Sequence, residues 1–308
     1  MGFDEADRAH PAWFLRDPSG ARITESGYYW LYMADVGNRG YQARWTHNVL
    51  RLLRRGWDGV FADDTNTTAK YNTDPRRIVK YPNDRAYERA MGSMLAYAGP
   101  RIRHANKLVI SNMGAWVEHP RVVRRWLRYV DGGQDEQFVK YDSTPGRGYR
   151  NMRQWRTQLE EARTAARMGK RFFAVTQAAP ADLRAKLFGW TTLLLGAGPT
   201  AAFLAAPNYH APPVPLPASA RDVGHPVGGL QRTGEVYYRP YSRALVVVNP
   251  TDRPQHVSFT KTQSGVGLRA APDATLAPQT GLVLHPGGAI ARLAAGFGLI
   301  LQPPDIRA

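Results

Sequence analysis

The sequence predicts an α/β chain: a (β/α)8 TIM-type barrel lacking its first strands, followed by a small antiparallel β-sandwich. Three observations carry this. From Tyr28 onward, short β-rich runs alternate with longer stretches at helical spacing, the signature of parallel βαβ units. No glycine-rich phosphate turn follows any of the runs, as an open doubly wound sheet would need, while polar residues recur after several of them. After Ala206 the text changes to proline-rich sequence and then to short, evenly spaced β-type runs.

The expected strands of the barrel are Tyr29 to Met33, Gly59 to Ala62, Leu108 to Ser111, Gly132 to Asp135, Phe172 to Thr176 and Thr200 to Leu204. Between them, Tyr41 to Arg55, Asp84 to Asn106, Pro120 to Tyr129, Met152 to Met168 and Ala181 to Leu195 have helical spacing. That makes about six strand–helix units where a closed barrel has about eight. The segment Met1 to Ser26 is too polar and turn-rich to hold the other two, so the chain is expected to start inside a longer fold. The barrel is assigned to residues 1–206 and a connector that cannot continue a helix to 207–226. A β-domain over 227–308 holds runs at Val236 to Tyr238, Ala244 to Val248, His256 to Phe259 and Gly281 to Leu284, with turns at Asn249-Pro250 and Pro286-Gly287-Gly288. The tail from Ala289 has no clear role.

Composition narrows the function classes. At 308 residues and 43% hydrophobic content the chain can bury a real core. The most apolar run, Phe188 to Ala206, is broken by Gly196, Gly198 and Pro199, so no membrane span is read. Without cysteine there are no disulfides, thiolate metal sites or Cys nucleophile. No signal peptide is legible at the N-terminus. The formal charge of +16 raises an anionic polymer as a partner, but its arginines scatter over helix faces and loops without a nucleic-acid-binding motif, so no specific nucleic-acid partner is expected. His104, His119, His210 and His225 are isolated, and neither a phosphate loop nor a Gly-x-Ser-x-Gly elbow occurs. No cofactor and no metal is therefore expected.

The chemistry is concentrated where strands end. Gly56-Trp57-Asp58-Gly59-Val60-Phe61-Ala62 runs straight into Asp63 and Asp64, and the carboxyl ends of barrel strands form the active-site face. The alternative is that the pair only caps a turn, since Asp-Asp-Thr-Asn is good turn sequence; a calcium site from Asp63, Asp64 and Asn66 lacks a full ligand set. A second acid, Glu136, closes Tyr129 to Phe138, and glycosidases commonly use two carboxyl groups flanking the scissile bond. The lesser alternative makes Asp135 and Glu136 a solvated loop edge. Asp35, Asp64, Asn112, Trp116 and Gln177, together with Asn208 and Tyr209, add the polar and aromatic groups that suit sugar hydroxyls and ring faces.

The run Tyr28 to Asp64, with Asp35 and Asn38 before a helix and then Gly-Trp-Asp-Gly-Val-Phe-Ala-Asp-Asp, resembles the hypothetical glycoside hydrolases of the (β/α)8 type. His10 to Asp17, Asp131 to Phe138, Asp222 to Pro226, and Tyr238 to Pro250 are similar to further segments of that family. The resemblance implies that Gly59 to Ala62 is the fourth barrel strand and that strands one and two are missing here. It also implies Asp63 as nucleophile and Glu136 as general acid/base, as in retaining barrel enzymes such as α-galactosidases, and an extracellular or cell-envelope location. The expected partner is a poly- or oligosaccharide. Two other classes compete: a non-catalytic carbohydrate-binding relic, which would bind saccharide without either acid, and a basic protein binding anionic polymers, whose affinity would fall steeply with salt.

Overall fold

The computed structural model describes residues 2–74, 77–208, 211–258 and 273–285. Tyr209, Phe259, the Pro286-Gly287-Gly288 turn and the tail from Ala289 lie outside the described residues. The chain divides into two compact units, Met1–Asp135 and Glu136–Ala308.

The first unit opens with α1 (Phe3–Ala9) and a hairpin of β1 (Thr24–Glu25) and β2 (Tyr28–Tyr32). Here the expectation of a parallel barrel strand at Tyr29 to Met33 is corrected. β2 pairs antiparallel with β1, with Glu25 opposite Tyr28, because Gly27 at φ 82° takes the left-handed backbone that a two-residue reversal needs. All five β2 residues are exposed.

Then follow α2 (Arg39–Leu53), β3 (Gly59–Ala62), α3 (Asp84–His104), β4 (Leu108–Asn112), α4 (Pro120–Trp126) and β5 (Gly132–Asp135). β3 and β4 run parallel with Gly59 opposite Leu108, and β4 and β5 with Ile110 opposite Gly132. Side-chain caps start the long helices: Asn38 accepts from the Tyr41 amide at 3.2 Å and Asn83 from Ala86 at 3.0 Å. On α3, Ala90, Met91, Met94, Leu95, Ala98 and Ile102 form a buried stripe at helical period, which returns the chain across the sheet.

In the second unit, α5 (Met152–Arg167) begins with a capping box of Asn151 and Gln154. β6 (Arg171–Gln177) and β7 (Ala201–Ala206) pair in parallel over six positions, joined by α6 (Leu183–Gly196), which is buried nearly all round. After α7 (Ala218–Arg221) come β8 (Gln231–Thr233), β9 (Val236–Pro240), β10 (Leu245–Asn249), β11 (Gln255–Ser258), β12 (Asp273–Leu276) and β13 (Thr280–Leu284). β8, β9, β10 and β13 form an antiparallel sheet in the order β13-β10-β9-β8, and β11 pairs with β12. All five β10 residues are buried. The sheet lies on α6: the Tyr241 hydroxyl donates to the Leu194 carbonyl at 2.7 Å, and Arg184 donates to the carbonyls of Pro278 and Gln279. Among the described residues, no helix is long and apolar enough to cross a membrane.

Candidate active site

The parallel register that sets Ala62 opposite Ser111 places the next residues, Asp63 and Asn112, side by side where β3 and β4 end. Asp63 Oδ1 accepts from Asn112 Nδ2 at 2.8 Å and from the Asp64 amide at 3.0 Å. Two N–H donors thus converge on one carboxyl oxygen and fix its position. Asp63 is exposed, while Asn112 is buried.

Asp64 takes a left-handed backbone, φ 51°, which Asp tolerates better than most residues. The kink sends the chain down into a buried polar turn, Thr65 to Thr68, fastened to the end of β4 by Thr65 N–H to Asn112 C=O at 3.0 Å and Thr67 N–H to Gly114 C=O at 3.3 Å. Asn66 Nδ2 donates to Asn72 Oδ1 at 2.8 Å and to Asp64 Oδ1 at 3.3 Å. Asn72 in turn donates to Glu25 Oε1 at 3.3 Å, and its carbonyl accepts from Ser26 N–H at 2.7 Å. Gly114 is required here, because a Cβ would overlap the Asn66 amide oxygen.

The result is three carboxyls at one edge: Asp63, Asp64 and Glu25. Burial pushes the Glu25 carboxyl up, and the charges of Asp64 and Asp63 add to it. Burial raises Asp64 as well, helped by the charge of Asp63 and opposed by hydrogen bonds from Asn72 and Asn66. Glu25 and Asp64 also hydrogen-bond each other, which favours the proton on Glu25. Tyr87, behind them on α3, is pushed up by its burial and by the same two charges.

A group whose pKa is raised on folding stabilises the fold below its unfolded value, and that contribution is lost as pH rises through the folded value. Glu25→Gln is therefore expected to raise the melting temperature at neutral pH, with the gain shrinking toward zero below about pH 4, where the unfolded carboxyl is also protonated. Thermal melts of both proteins across pH check this; a gain that grows on acidification would reverse the assignment.

The remaining site candidates fall elsewhere. Asp35 is 1% exposed and receives hydrogen bonds from Lys80, from the Tyr81 hydroxyl and, at 3.2 Å, from Gly37 N–H, so it ties two loops together. Trp116 is buried at 3% exposure, with its ring against Gly133, and offers no open face. In the second unit, Glu136 directly follows β5 and is half-buried, and Gln177 is the half-buried last residue of β6. The backbone after Glu136 is held by a buried amide: Gln158 Nε2 donates to Gln137 C=O at 3.0 Å, and its Oε1 accepts from Val139 N–H at 2.9 Å. Val139 sits at φ 57°, an outlier for a β-branched residue, so this clamp holds a strained turn. Sequence reading missed Glu25, whose neighbours look like a polar turn, and Asn72, 47 residues away from it. Among the described residues, no group of three or more His, Asp or Glu is disposed to hold a metal ion.

Residues 1–245 match the model of hypothetical glycosyl hydrolase family 15. Among solved structures, the chain is similar to an acarbose-soaked Nostoc punctiforme debranching enzyme, at 10% identity over 92% of this chain and 72% of that one, with a TM-score of 0.45. It is also similar to Eubacterium rectale Amy13B (11%, 83% and 65%, TM-score 0.47) and to the cyclic α-maltosyl-(1→6)-maltose hydrolase of Arthrobacter globiformis (13%, 92% and 70%, TM-score 0.47). The chain thus spans 65–72% of the length of these structures. No curated protein matches. The match of residues 1–245 bears out the resemblance read from the Asp-Gly-Val-Phe-Ala-Asp-Asp strand and its companions: the chain belongs to hypothetical glycosyl hydrolase family 15.

Proposed function

We propose that this chain hydrolyses O-glycosidic bonds in a poly- or oligosaccharide by a retaining, two-carboxylate mechanism, on strands that belong to a (β/α)8 barrel. The observation that carries the reading is Asp63 at the end of β3, open to solvent, held by Asn112 and flanked by Asp64 and Glu25. Family membership and the parallel pairing of β3, β4 and β5 support it.

Asp63 attacks the anomeric carbon while Glu136 protonates the departing glycosidic oxygen, leaving a glycosyl ester on Asp63. Glu136, now ionised, then takes a proton from water as that water displaces Asp63 and frees the sugar. Asn112 and Asp64 hold the nucleophile and the sugar hydroxyls. Gln177 contributes from the end of β6, and Asp35 and Trp116 support the site from within the fold.

The test is Glu136→Gln assayed on aryl glycosides of graded leaving-group acidity. A general acid predicts that dinitrophenyl glycosides, which need no protonation, are still cleaved to the glycosyl ester, while poor leaving groups lose about 100- to 10,000-fold. Azide is expected to restore turnover by trapping that ester as a glycosyl azide of retained configuration. Equal losses on all leaving groups, or a wild-type protein that cleaves none of them, would overturn the reading.

A further inference from the structure

The hairpin that carries Glu25 also carries an unusual surface. Tyr28, Tyr29, Trp30, Leu31 and Tyr32 are 47%, 75%, 71%, 45% and 37% exposed, five consecutive apolar residues turned toward solvent. An edge of this kind ordinarily invites association and is ordinarily blunted with charge. Here β2 has none, in a chain of formal charge +16.

Strand alternation puts Tyr28, Trp30 and Tyr32 on one face, successive rings about 7 Å apart. The rings tilt away from a flat row: Tyr28 and Trp30 meet edge to face at 5.7 Å, and Tyr32 stacks on Phe3 of α1 at 3.9 Å, which covers one of its faces. Tyr29 and Leu31 occupy the other face. Trp30, at 71% exposure, keeps an apolar ring open to solvent, and with its indole N–H and the neighbouring tyrosine hydroxyls it fits a pyranose ring, whose C–H face stacks and whose hydroxyls bond at the edge. The row is continuous with the carboxylates, since Tyr28 pairs with Glu25, and Glu25 bonds to Asn72 and Asp64.

We propose that β2 is a docking strip for an uncharged glycan, which it delivers to the carboxyls of Asp63, Asp64 and Glu25. This rests on the glycosidase reading of that site and names its substrate class: a neutral polymer rather than an acidic one, because three carboxyls stand at the head of the strip and no cation stands on it.

The test is affinity gel electrophoresis of the whole chain at high salt, in gels holding soluble starch, hydroxyethylcellulose, galactomannan or xylan, with polygalacturonate as the anionic control. Retardation is expected from at least one neutral polymer, weakened about tenfold or more in Tyr28→Ala/Trp30→Ala and kept in Asp63→Asn. Trp30 is largely exposed and Tyr28 about half so, and the variant is therefore expected to fold, which circular dichroism checks. No retardation by any neutral polymer, retardation by polygalacturonate alone, or equal retardation of the double variant would each overturn the proposal. So would a dimer by sedimentation that the double variant abolishes, since the strip's occupant would then be a second copy. If neutral glycan binds through β2 yet no glycoside is ever cleaved, the strip stands and the glycosidase reading fails.

Discussion

Asp63→Asn is expected to cut kcat by about 10,000-fold, roughly 5 kcal/mol of barrier, while leaving the fold intact. The amide oxygen of Asn can still accept from Asn112 and from the residue 64 amide, so the turn after β3 keeps both of its bonds. What is lost, on the proposed mechanism, is the nucleophile that forms the glycosyl ester. The melting temperature should move by no more than about 2 °C, because the side chain is exposed and no core volume changes. Asn112→Ala is the informative companion. It removes one donor, worth about 1–3 kcal/mol where the acceptor is charged, so it should cost about 10- to 100-fold in kcat. Steady-state kinetics on one aryl glycoside with all three proteins checks the order. An Asp63→Asn protein that keeps a tenth of the wild-type rate would remove Asp63 from the chemistry.

The largest effect on stability is expected at Lys140, which is fully buried. Its ammonium donates to the carbonyls of Asp142, of Thr144 at 3.1 Å and of Gln177 at 3.3 Å, stands 3.9 Å from Asp182 and lies over the Tyr149 ring. One cation thus fastens the loop after residue 140 to the end of β6. Burial pulls its pKa down and Asp182 pushes it back up. Lys140→Met fills much the same volume without charge, removing one of the two lysine charges that act on Asp182 and leaving three carbonyls short of a donor. Breaking such a buried pair from one side costs about 3–5 kcal/mol. Asp182→Asn should cost less, about 1 kcal/mol, because the lysine keeps its carbonyls and the amide oxygen can still cap α6 at the Ala185 amide. Urea denaturation reads both values; a Lys140→Met protein within about 1 kcal/mol of wild type would show that the ammonium is not holding the loop.

What was legible in the sequence is what local physics dictates. The expected strand at Gly59 to Ala62 coincides with β3, and the expected helix from Asp84 starts where α3 does, because a strong apolar period follows an Asn cap. Asp63 and Asp64 were legible for the same reason, as the first charges after an apolar run. Contacts between distant segments were not legible. The aromatic run at Tyr28 to Tyr32 reads as a strand in any environment; only the Gly27 reversal and the pairing with Thr24 and Glu25 make it an exposed hairpin. Glu25 is brought to Asp64 by Asn72, far along the chain, so no spacing rule reaches it. Likewise, nothing beside Lys140 in the sequence marks it as buried, since its carbonyl partners come from loop geometry.

The seat of the antiparallel sheet on α6 bears on how this chain can be cut and recombined. The family match ends at residue 245, the first residue of β10, yet β10 and β13 cover α6, and Gly281 of β13 packs directly against Thr191. A gene fragment trimmed to the matched region would carry the helix without its cover, baring Leu187, Leu194 and their neighbours to water. Such a fragment should be expressed as inclusion bodies or fall quickly to proteases. A piece that keeps α6 covered runs at least to Leu284, past the boundary that sequence similarity draws.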